Sequence, residues 1–262
     1  MVNVLSIRCA GFLACVLLMT LFALAPVVQG ATYYVKTNGN DAAAGTTWAT
    51  AKQTIQAAVD IAADGDDVWV TNGLYQTGTR ITPGSTNGTL NRLVITNNIT
   101  VQSVNGPAFT AIQGEQNGNT LASIRCVFMS TGALSGFTLI DGYAPFVGSG
   151  LYVDASGGGA YAYGASLSNC VVIGNEAGRA GGGVAGGSLY DCRIESNIAS
   201  NGGGGVYEST VYDSSILSNS VTWLGLGGGA LESTLFRTWV SENTSFTGGG
   251  VGNSTLHDCE IY

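Results

Sequence analysis

Two kinds of side chain that could do chemistry recur at one spacing in the second half of the sequence. Asp191 and Asp213 stand 22 residues apart, and Tyr190 and Tyr212 precede them at the same spacing. Two carboxylates could hold Ca²⁺ through their oxygens or act on a sugar bond, and tyrosine rings offer flat faces to sugars. We therefore take these four as candidate substrate-binding residues, and the catalytic residues stay unassigned.

These residues belong to two sets of equivalent positions in successive repeats, which we call columns. Neither column has the same type of residue throughout. The aromatic column is Ser168, Tyr190, Tyr212, Phe236 and His257, and the acidic column is Asn169, Asp191, Asp213, Arg237 and Asp258. Equivalent aspartates would lie about 5 Å apart and repel each other unless a cation, a proton or an arginine intervenes. Arg193 and Arg237 are the nearby arginines. The interrupted pattern does not favour catalysis, so no cofactor is predicted, and Ca²⁺ on the two aspartates is the alternative.

The sequence lacks the motifs of common catalytic and metal sites. It contains no G-x-S-x-G, no H-E-x-x-H and no phosphate-binding loop, and His257 is its one histidine. The cysteines after residue 30 form no C-x-x-C pair, so no metal site is predicted. Cys170 and Cys192 occupy equivalent repeat positions with parallel side chains, which predicts free, buried thiols rather than a disulfide.

The candidate residues belong to a repeat of about 22 residues. Its first half occurs as LSNCVVIGN from Leu167, LYDCRIESN from Leu189, VYDSSILSN from Val211, LFRTWVSEN from Leu235 and LHDCEIY from Leu256, at steps of 22, 22, 24 and 21 residues. A glycine cluster and a small apolar residue follow each asparagine. A degenerate copy starts at Leu134, and we expect residues 148–151 to be its second half, before a longer excursion over 155–164.

The repeat predicts a coil of short parallel strands. Positions 0, 3, 5 and 8 of each copy turn to one side, and the chain then returns one strand spacing further on. The asparagines at position 8 can form a ladder of amides through Asn175, Asn197, Asn219 and Asn243. A leucine-rich repeat could share this geometry. A return path of G-G-G-V disfavours a helix, so the expected fold is an all-β, right-handed parallel β-helix, with the leucine-rich repeat as the alternative.

The composition agrees with one ordered, strand-rich domain. The chain has 40 glycines, 45% hydrophobic residues and only 10% charged residues, which supplies a core but does not favour long helices. The net charge of −8 disfavours nucleic acid and anionic membrane surfaces as partners. A cation or a neutral polymer suits this surface better.

Residues 1–30 have the pattern of a secretory signal peptide. Arg8 precedes an apolar run over residues 10–25, Pro26 ends the run, and Gly30 supplies a small residue near the expected cleavage point. The run is shorter than a membrane span requires, and no second apolar run follows. We therefore expect a mature chain without a transmembrane span, either secreted or held at the cell surface or outer membrane.

Residues 31–78 are expected to form an N-terminal capping module. Apolar residues recur at helical spacing at Ile55, Ala58, Val59 and Ala62. Thr54 can cap this helix, which should end near residues 64–65 and cover the first rung of the coil. The three aspartates over residues 64–67 are typical of a polar turn, and a cation site is the less favoured alternative.

The capping module resembles the opening of exported bacterial pectate-lyase-like β-helix proteins. The matching segments are YYV at 33–35, GND at 39–41 with Gly45, WAT at 48–50, TIQ at 54–56 with Ala58, GD at 65–66 with Val68 and Val70, and Gly73 with Tyr75. The later L-x-x-C-x-I-x-x-N and G-G-G-V units are similar to the repeats of polymorphic outer-membrane proteins. The resemblance implies the fold but not an activity, because such families include lyases, hydrolases, epimerases and many non-enzymes.

Three functions remain open. The first is an exported cell-surface or envelope-associated β-helix with a structural or adhesive role. The alternatives are a polysaccharide lyase or glycoside hydrolase acting on an acidic polysaccharide, and a non-catalytic carbohydrate-binding module. A polysaccharide or surface glycan is the expected partner. Because the sequence stops at Tyr262 within a repeat, residues 79–262 are expected to be a truncated part of a longer β-helix, and pairing of this edge with another chain is the alternative.

Overall fold

The computed structural model describes residues 30–147, 151–223 and 225–262. The predicted signal peptide lies outside the described residues, except for Gly30. Neither of the helices in these three ranges is long and apolar enough to cross a bilayer.

The described chain consists almost entirely of short strands. Its first part contains β1 (Thr32–Val35), α1 (Ile55–Val59), β2 (Asp67–Val70), β3 (Gly73–Tyr75), β4 (Arg80–Ile81), β5 (Leu90–Ile95), β6 (Thr100–Ser103), β7 (Thr110–Gln113) and β8 (Ile124–Met129). Its middle part contains β9 (Ala133–Ser135), β10 (Thr138–Ile140), β11 (Tyr143–Ala144), α2 (Tyr152–Ala155), β12 (Ala160–Tyr161), β13 (Ser166–Ser168), β14 (Val171–Ile173), β15 (Glu176–Ala177) and β16 (Val184–Ala185). Its last part contains β17 (Ser188–Tyr190), β18 (Arg193–Glu195), β19 (Ile198–Ala199), β20 (Val206–Tyr207), β21 (Thr210–Tyr212), β22 (Ser215–Leu217), β23 (Ser220–Val221), β24 (Ala230–Leu231), β25 (Thr234–Phe236), β26 (Trp239–Ser241), β27 (Val251–Gly252), β28 (Thr255–His257) and β29 (Glu260–Ile261).

The strands stack into four sheets that form the sides of a coil. Sheet A is β1-β2-β6-β9-β13-β17-β21-β25-β28, sheet B is β3-β7-β10-β14-β18-β22-β26-β29, sheet C is β4-β5-β8-β12-β16-β20-β24-β27, and sheet D is β11-β15-β19-β23. Among these strands only β4 and β5 pair antiparallel. The predicted right-handed parallel β-helix is therefore confirmed, and the leucine-rich repeat alternative is wrong.

One rung shows how the 22-residue repeat closes. The chain runs along β17 in sheet A, β18 in sheet B, β19 in sheet D and β20 in sheet C, then begins the next rung at β21. Leu189 pairs in register with Val211, and Ile194 pairs with Ile216. These four side chains are fully buried in one core that runs along the coil. Stacking of equivalent apolar residues thus fixes the register of the rungs.

The glycine clusters are required by close approach between rungs. A Cβ on Gly205 would lie 2.6 Å from the carbonyl oxygen of Gly229 and 2.9 Å from Cγ2 of Ile216. No side chain fits there, so glycine recurs at this point of each rung. The same crowding explains why the return path is a strand with no space for a helix.

The rung that starts at Leu134 corrects one expectation. Its return was expected at residues 148–151, of which 148–150 lie outside the described residues. The structure instead places the sheet C strand at β12, where Ala160 pairs with Val127 and Val184. The expected excursion over 155–164 therefore contains this strand, and α2 lies in an earlier insertion. A Cβ added to Gly159 would lie 2.7 Å from the carbonyl oxygen of Gly183. This close approach shows that Gly159 is the equivalent of Gly183 in the next rung.

Helix α1 covers part of the first rung. Oγ1 of Thr54 accepts a hydrogen bond from the backbone N–H of Ala57 at 3.2 Å, which is the expected N-terminal cap. Gln56 pairs with Val94 on the edge of β5: its Oε1 accepts from the Val94 N–H at 2.8 Å, and its Nε2 donates to the Val94 carbonyl at 3.2 Å. The side chain thus takes the place of a neighbouring strand.

The helix is shorter than expected. It ends at Val59, because the N–H groups of Ile61 and Ala62 bond three residues back in a tighter turn. The aspartates that follow accept backbone hydrogen bonds. Asp66 binds the N–H groups of Ala31 at 2.6 Å and Ala63 at 2.8 Å. This geometry is that of a polar turn that fixes the start of the coil.

Candidate functional site

The four ladder asparagines bind one another inside the coil. Oδ1 of Asn197 accepts from the backbone N–H and from Nδ2 of Asn175, both at 3.0 Å. Asn219 accepts from Asn197 at 2.9 Å in both bonds, and Asn243 accepts from Asn219 at 2.8 and 2.9 Å. All four side chains are buried. Their hydrogen-bonding groups serve the fold and are not available to a ligand.

The aromatic column forms a continuous stack on the outer face of sheet A. The ring centroids of Tyr190 and Tyr212 are 5.0 Å apart, those of Tyr212 and Phe236 are 4.8 Å apart, and those of Phe236 and His257 are 4.5 Å apart. The rings are parallel within 7°. Most ring faces are therefore covered by the next rung, and only the face of Tyr190 toward Ser168 lies next to a non-aromatic residue of the column.

The acidic column lies at the A/B corner, the turn between sheets A and B. Its members have left-handed backbone, with φ of 48° at Asn169, 52° at Asp191, 49° at Asp213, 45° at Arg237 and 51° at Asp258. Asn and Asp adopt this conformation more readily than other non-glycine residues. Backbone geometry thus accounts for much of the column, independently of any ligand.

The two candidate aspartates have different surroundings. Arg237 binds Asp213 through two hydrogen bonds of 2.7 Å, and this contact lowers the pKa of Asp213. Asp191 is exposed, and within the described residues its carboxylate makes no ion pair. Arg193 pairs with Glu195 on its own strand. Of the two candidates, Asp191 is therefore a free carboxylate and Asp213 a neutralised one.

A groove runs beside the A/B corner on the sheet B side. It has a volume of about 460 Å³, and its lining includes Pro107, Asp191, Arg193, Asp213, Ser215 and Trp239. The side chain of Trp239 is 51% exposed. The structure thus brings both candidate aspartates into one groove and leaves Tyr190 and Tyr212 outside its lining, on sheet A.

Trp239 is the residue that the sequence analysis missed. It pairs in register with Ser215, which pairs with Arg193, so the three form an outward column on sheet B. All three stand at position 4 of their repeats. Reading this position down the alignment could have found the column, although the repeat alone does not tell which outward columns share a groove.

The described residues contain no group of three or more His, Cys, Asp or Glu side chains that could hold a metal ion. The four cysteines of the described ranges form no disulfide with one another: Cys126, Cys170 and Cys192 are buried, and Cys259 is partly exposed. The predicted burial of Cys170 and Cys192 is confirmed, and their free state stays a prediction. A hydrogen bond with Cys192 and burial both raise the pKa of the Cys170 thiol.

Comparisons with known proteins bear on the fold. No protein-family model and no curated protein matches the sequence. Among solved structures, pectate lyase Pel9A superposes with a TM-score of 0.52 and 14% identity, over 88% of this chain and 61% of the lyase. A rhamnogalacturonan lyase gives 0.47 and 14%, over 89% and 63% of the two chains. Pectin methylesterase PemA from Erwinia chrysanthemi gives 0.45 and 12%, over 88% and 80%.

The superposition on the pectate lyase supports the class of fold. The chain has the parallel β-helix architecture of the pectate lyase, and it spans less than two thirds of the length of either lyase. At 14% identity the likeness shows the fold alone, because this architecture carries many unrelated activities. Function has to be argued from the groove.

Proposed function

We propose that this chain is an exported, cell-surface or envelope-associated β-helix that binds a polysaccharide without cleaving it. The observation that carries the proposal is the half-exposed Trp239 in a groove with Asp191, Ser215 and Arg193. An exposed aromatic face beside hydrogen-bonding side chains is a suitable surface for a sugar ring. The groove is open and runs beside stacked rungs, so a chain of several sugars can lie along it.

Charge favours a neutral polysaccharide. Asp191 is exposed in the groove, and Arg193 is already paired with Glu195. The protein carries a net charge of −8. An acidic polymer would meet repulsion without a compensating free cation, whereas neutral sugars could donate hydroxyl hydrogens to Asp191.

The carboxylates support binding better than acid–base chemistry. A glycosidase-type mechanism needs one carboxyl group that holds a proton and one that does not. Arg237 lowers the pKa of Asp213, which keeps that group ionised and occupied. A polysaccharide lyase or glycoside hydrolase acting on acidic polysaccharide is the alternative that the experiments below must address.

The binding proposal is tested with a matched pair of tryptophan variants. Trp239→Ala should weaken binding to a neutral polysaccharide about tenfold or more in affinity electrophoresis, because the stacking face is lost. Trp223→Ala is the control, since Trp223 is 72% exposed and lies outside the groove. The panel should pair neutral glucans and mannans with polygalacturonate and alginate. Equal affinities for the two variants, or exclusive binding of acidic polymers, would overturn the proposal.

Export is tested separately. Expression of the whole sequence in a Gram-negative host should yield a protein in the periplasm or medium whose first residue is close to Ala31. N-terminal sequencing of the recovered protein measures this. A product that keeps residues 1–30 in the cytoplasm would contradict export and leave the groove proposal to its own test.

A further inference from the structure

A second pocket lies on sheet C, which does not adjoin sheet B around the rung. It has a volume of about 160 Å³, and its lining includes Tyr152, Arg179, Asn201, Tyr207, Leu231 and Glu232. These residues come from α2 and from three successive rungs. Sites for drug-sized ligands have volumes of about 300–1,000 Å³, so this pocket suits a single small polar molecule.

Stacking fixes the orientation of the one cation in this lining. The guanidinium carbon of Arg179 lies 3.7 Å from the ring centroid of Tyr152. Tyr152 stacks in turn on Tyr207, with centroids 6.1 Å apart and planes within 9°. Arg179 takes part in none of the ion pairs found among the described residues. A guanidinium held flat against a ring presents its N–H donors at its edge, where a planar carboxylate can bind two of them.

The rest of the lining suits hydroxyl groups. The hydroxyl of Tyr207 donates to Oε2 of Glu232 at 3.1 Å, and burial raises the pKa of Tyr207, so this donor stays protonated. Glu232 and Asn201 are both exposed, which leaves carboxylate and amide groups for a ligand. Glu232 offsets the charge of Arg179, so the lining does not favour a dianion such as phosphate over a monoanion.

The segment that carries Tyr152 is anchored by a buried, fully hydrogen-bonded arginine. Within the described residues α2 adds no strand to any of the four sheets. It is held by Arg125, which is fully buried and donates to the carbonyls of Val153 at 2.6 Å and of Ser156 and Gly157 at 2.9 Å. Burial of a charged group is unfavourable unless hydrogen bonds compensate. These contacts hold Tyr152 at a fixed place beside Arg179 and Tyr207.

We propose that this pocket binds a small monocarboxylate that also carries hydroxyl groups. Its carboxylate binds Arg179, and its hydroxyls bind Glu232 and Asn201. The ligand is either a free hydroxy acid or an acidic sugar at the end of a glycan. This site is independent of the groove at the A/B corner, and each can fail without the other.

Calorimetry and ligand-observed NMR on the chain without residues 1–30 test the proposal. The probes are sodium D-gluconate as a free hydroxy acid and methyl β-D-glucuronoside as a terminal acidic sugar. Acetate lacks hydroxyls, D-glucose lacks a carboxylate, and inorganic phosphate is mostly a dianion at about pH 8, at which all probes are measured. We expect a dissociation constant of about 1 mM or tighter for at least one of the two hydroxycarboxylates, and binding about tenfold weaker or worse for the other three.

Three variants separate this site from general charge effects. Arg179→Gln removes the cation and should weaken binding about tenfold or more. Asn201→Leu fills the pocket at an exposed position without a change of charge, and it should abolish binding while the thermal melt stays near that of the wild type. Arg80→Gln is the control, since Arg80 pairs with Asp60 beside α1. Absence of binding, unchanged binding in both pocket variants, or equal binding of acetate or phosphate would overturn the proposal.

Discussion

Arg237 binds Asp213 of the preceding rung through two parallel hydrogen bonds, Nε to Oδ1 and Nη2 to Oδ2, each 2.7 Å long. The contact joins two consecutive members of the A/B corner, where like charges would otherwise stack. It neutralises Asp213, whereas Asp191 stays exposed and takes part in no ion pair found among the described residues. This difference between the two aspartates underlies the expected pH dependence of stability and the expected absence of lyase activity.

The ion pair predicts how stability depends on pH. Folding lowers the pKa of Asp213 because the carboxylate binds Arg237. A group whose pKa is lower in the folded state stabilises the folded protein at pH values above its unfolded pKa of about 4. This stabilisation is lost as the pH falls through the lowered pKa of the folded state. Arg237→Gln should therefore melt at a lower temperature than the wild type near neutral pH, with the difference vanishing in acid.

The control for this experiment is Arg237→Lys, which keeps the charge but loses the paired geometry. Its melting temperature should lie between those of the wild type and Arg237→Gln. Added salt should reduce the differences in melting temperature, because the ion pair is exposed. A difference between wild type and Arg237→Gln that grows toward acid pH would contradict the assignment.

The amide ladder predicts a stability contrast between neighbouring residues. Asn197→Ala removes the acceptor for two donors of Asn175 and the donor for the carbonyl of Val172. Groups left buried without a partner cost about 1–3 kcal/mol each, so the free energy of unfolding should fall markedly. Ser196→Ala is the control at an exposed position and should change it by within about 0.5 kcal/mol. Equal melting of the two variants would show that the ladder does not stabilise the coil.

The repeats after residue 166 could be predicted because their buried residues recur at fixed offsets. Leu189, Cys192, Ile194 and Asn197 all turn inward, as their spacing indicates. The insertion near α2 could not be predicted in this way. Its glycines, alanines and tyrosines resemble those of a sheet C strand, and only the packing of Gly159 against the next rung distinguishes them.

The binding surfaces were harder to predict for a different reason. Outward residues are under no packing constraint that reveals their neighbours, so the repeat does not tell whether Trp239 and Tyr190 share a surface. Trp239 lies on sheet B and Tyr190 on sheet A, because the chain turns a corner between positions 1 and 4 of the repeat. Only the three-dimensional path of the chain shows this corner. The pairing of Asp213 with Arg237 was one of several options that the sequence left open.

A glycine of the return path gives a third prediction. Gly205→Ala places a Cβ 2.6 Å from the carbonyl oxygen of Gly229, which forces adjacent rungs apart. Overpacking of this kind costs about 1–3 kcal/mol or more. Gly174→Ala is the control, since Gly174 has a φ of 64° but open space around its Cβ, so only backbone strain of about 1–2 kcal/mol is expected. Chemical denaturation should rank Gly205→Ala as less stable, and the reverse order would refute the proposed inter-rung contact.

The thiols give a fourth prediction. Burial raises the pKa of Cys126 to about 12, and a hydrogen bond with Cys192 together with burial raises that of Cys170. Neither forms much thiolate at about pH 8, so both should resist iodoacetamide in the native protein, while the partly exposed Cys259 reacts. Peptide mass spectrometry measures labelling at each cysteine, and unfolding before labelling is the control. A bridge between Cys170 and Cys192 in the unfolded, alkylated sample would contradict the free thiols.

The last prediction concerns the alternative function, cleavage of an acidic polysaccharide. Asp191 and Asp213 would have to act together, directly or through a Ca²⁺ ion that bridges protein and substrate. Because Arg237 already occupies both oxygens of Asp213, we expect Ca²⁺ to raise the melting temperature of the wild type little. We also expect no unsaturated products absorbing in the ultraviolet from uronic-acid polymers. Arg237→Gln releases Asp213, so Ca²⁺ should stabilise this variant more than the wild type. Lyase activity in the wild-type protein that disappears in Asp191→Asn or Asp213→Asn would show that the groove is catalytic and would contradict the binding proposal.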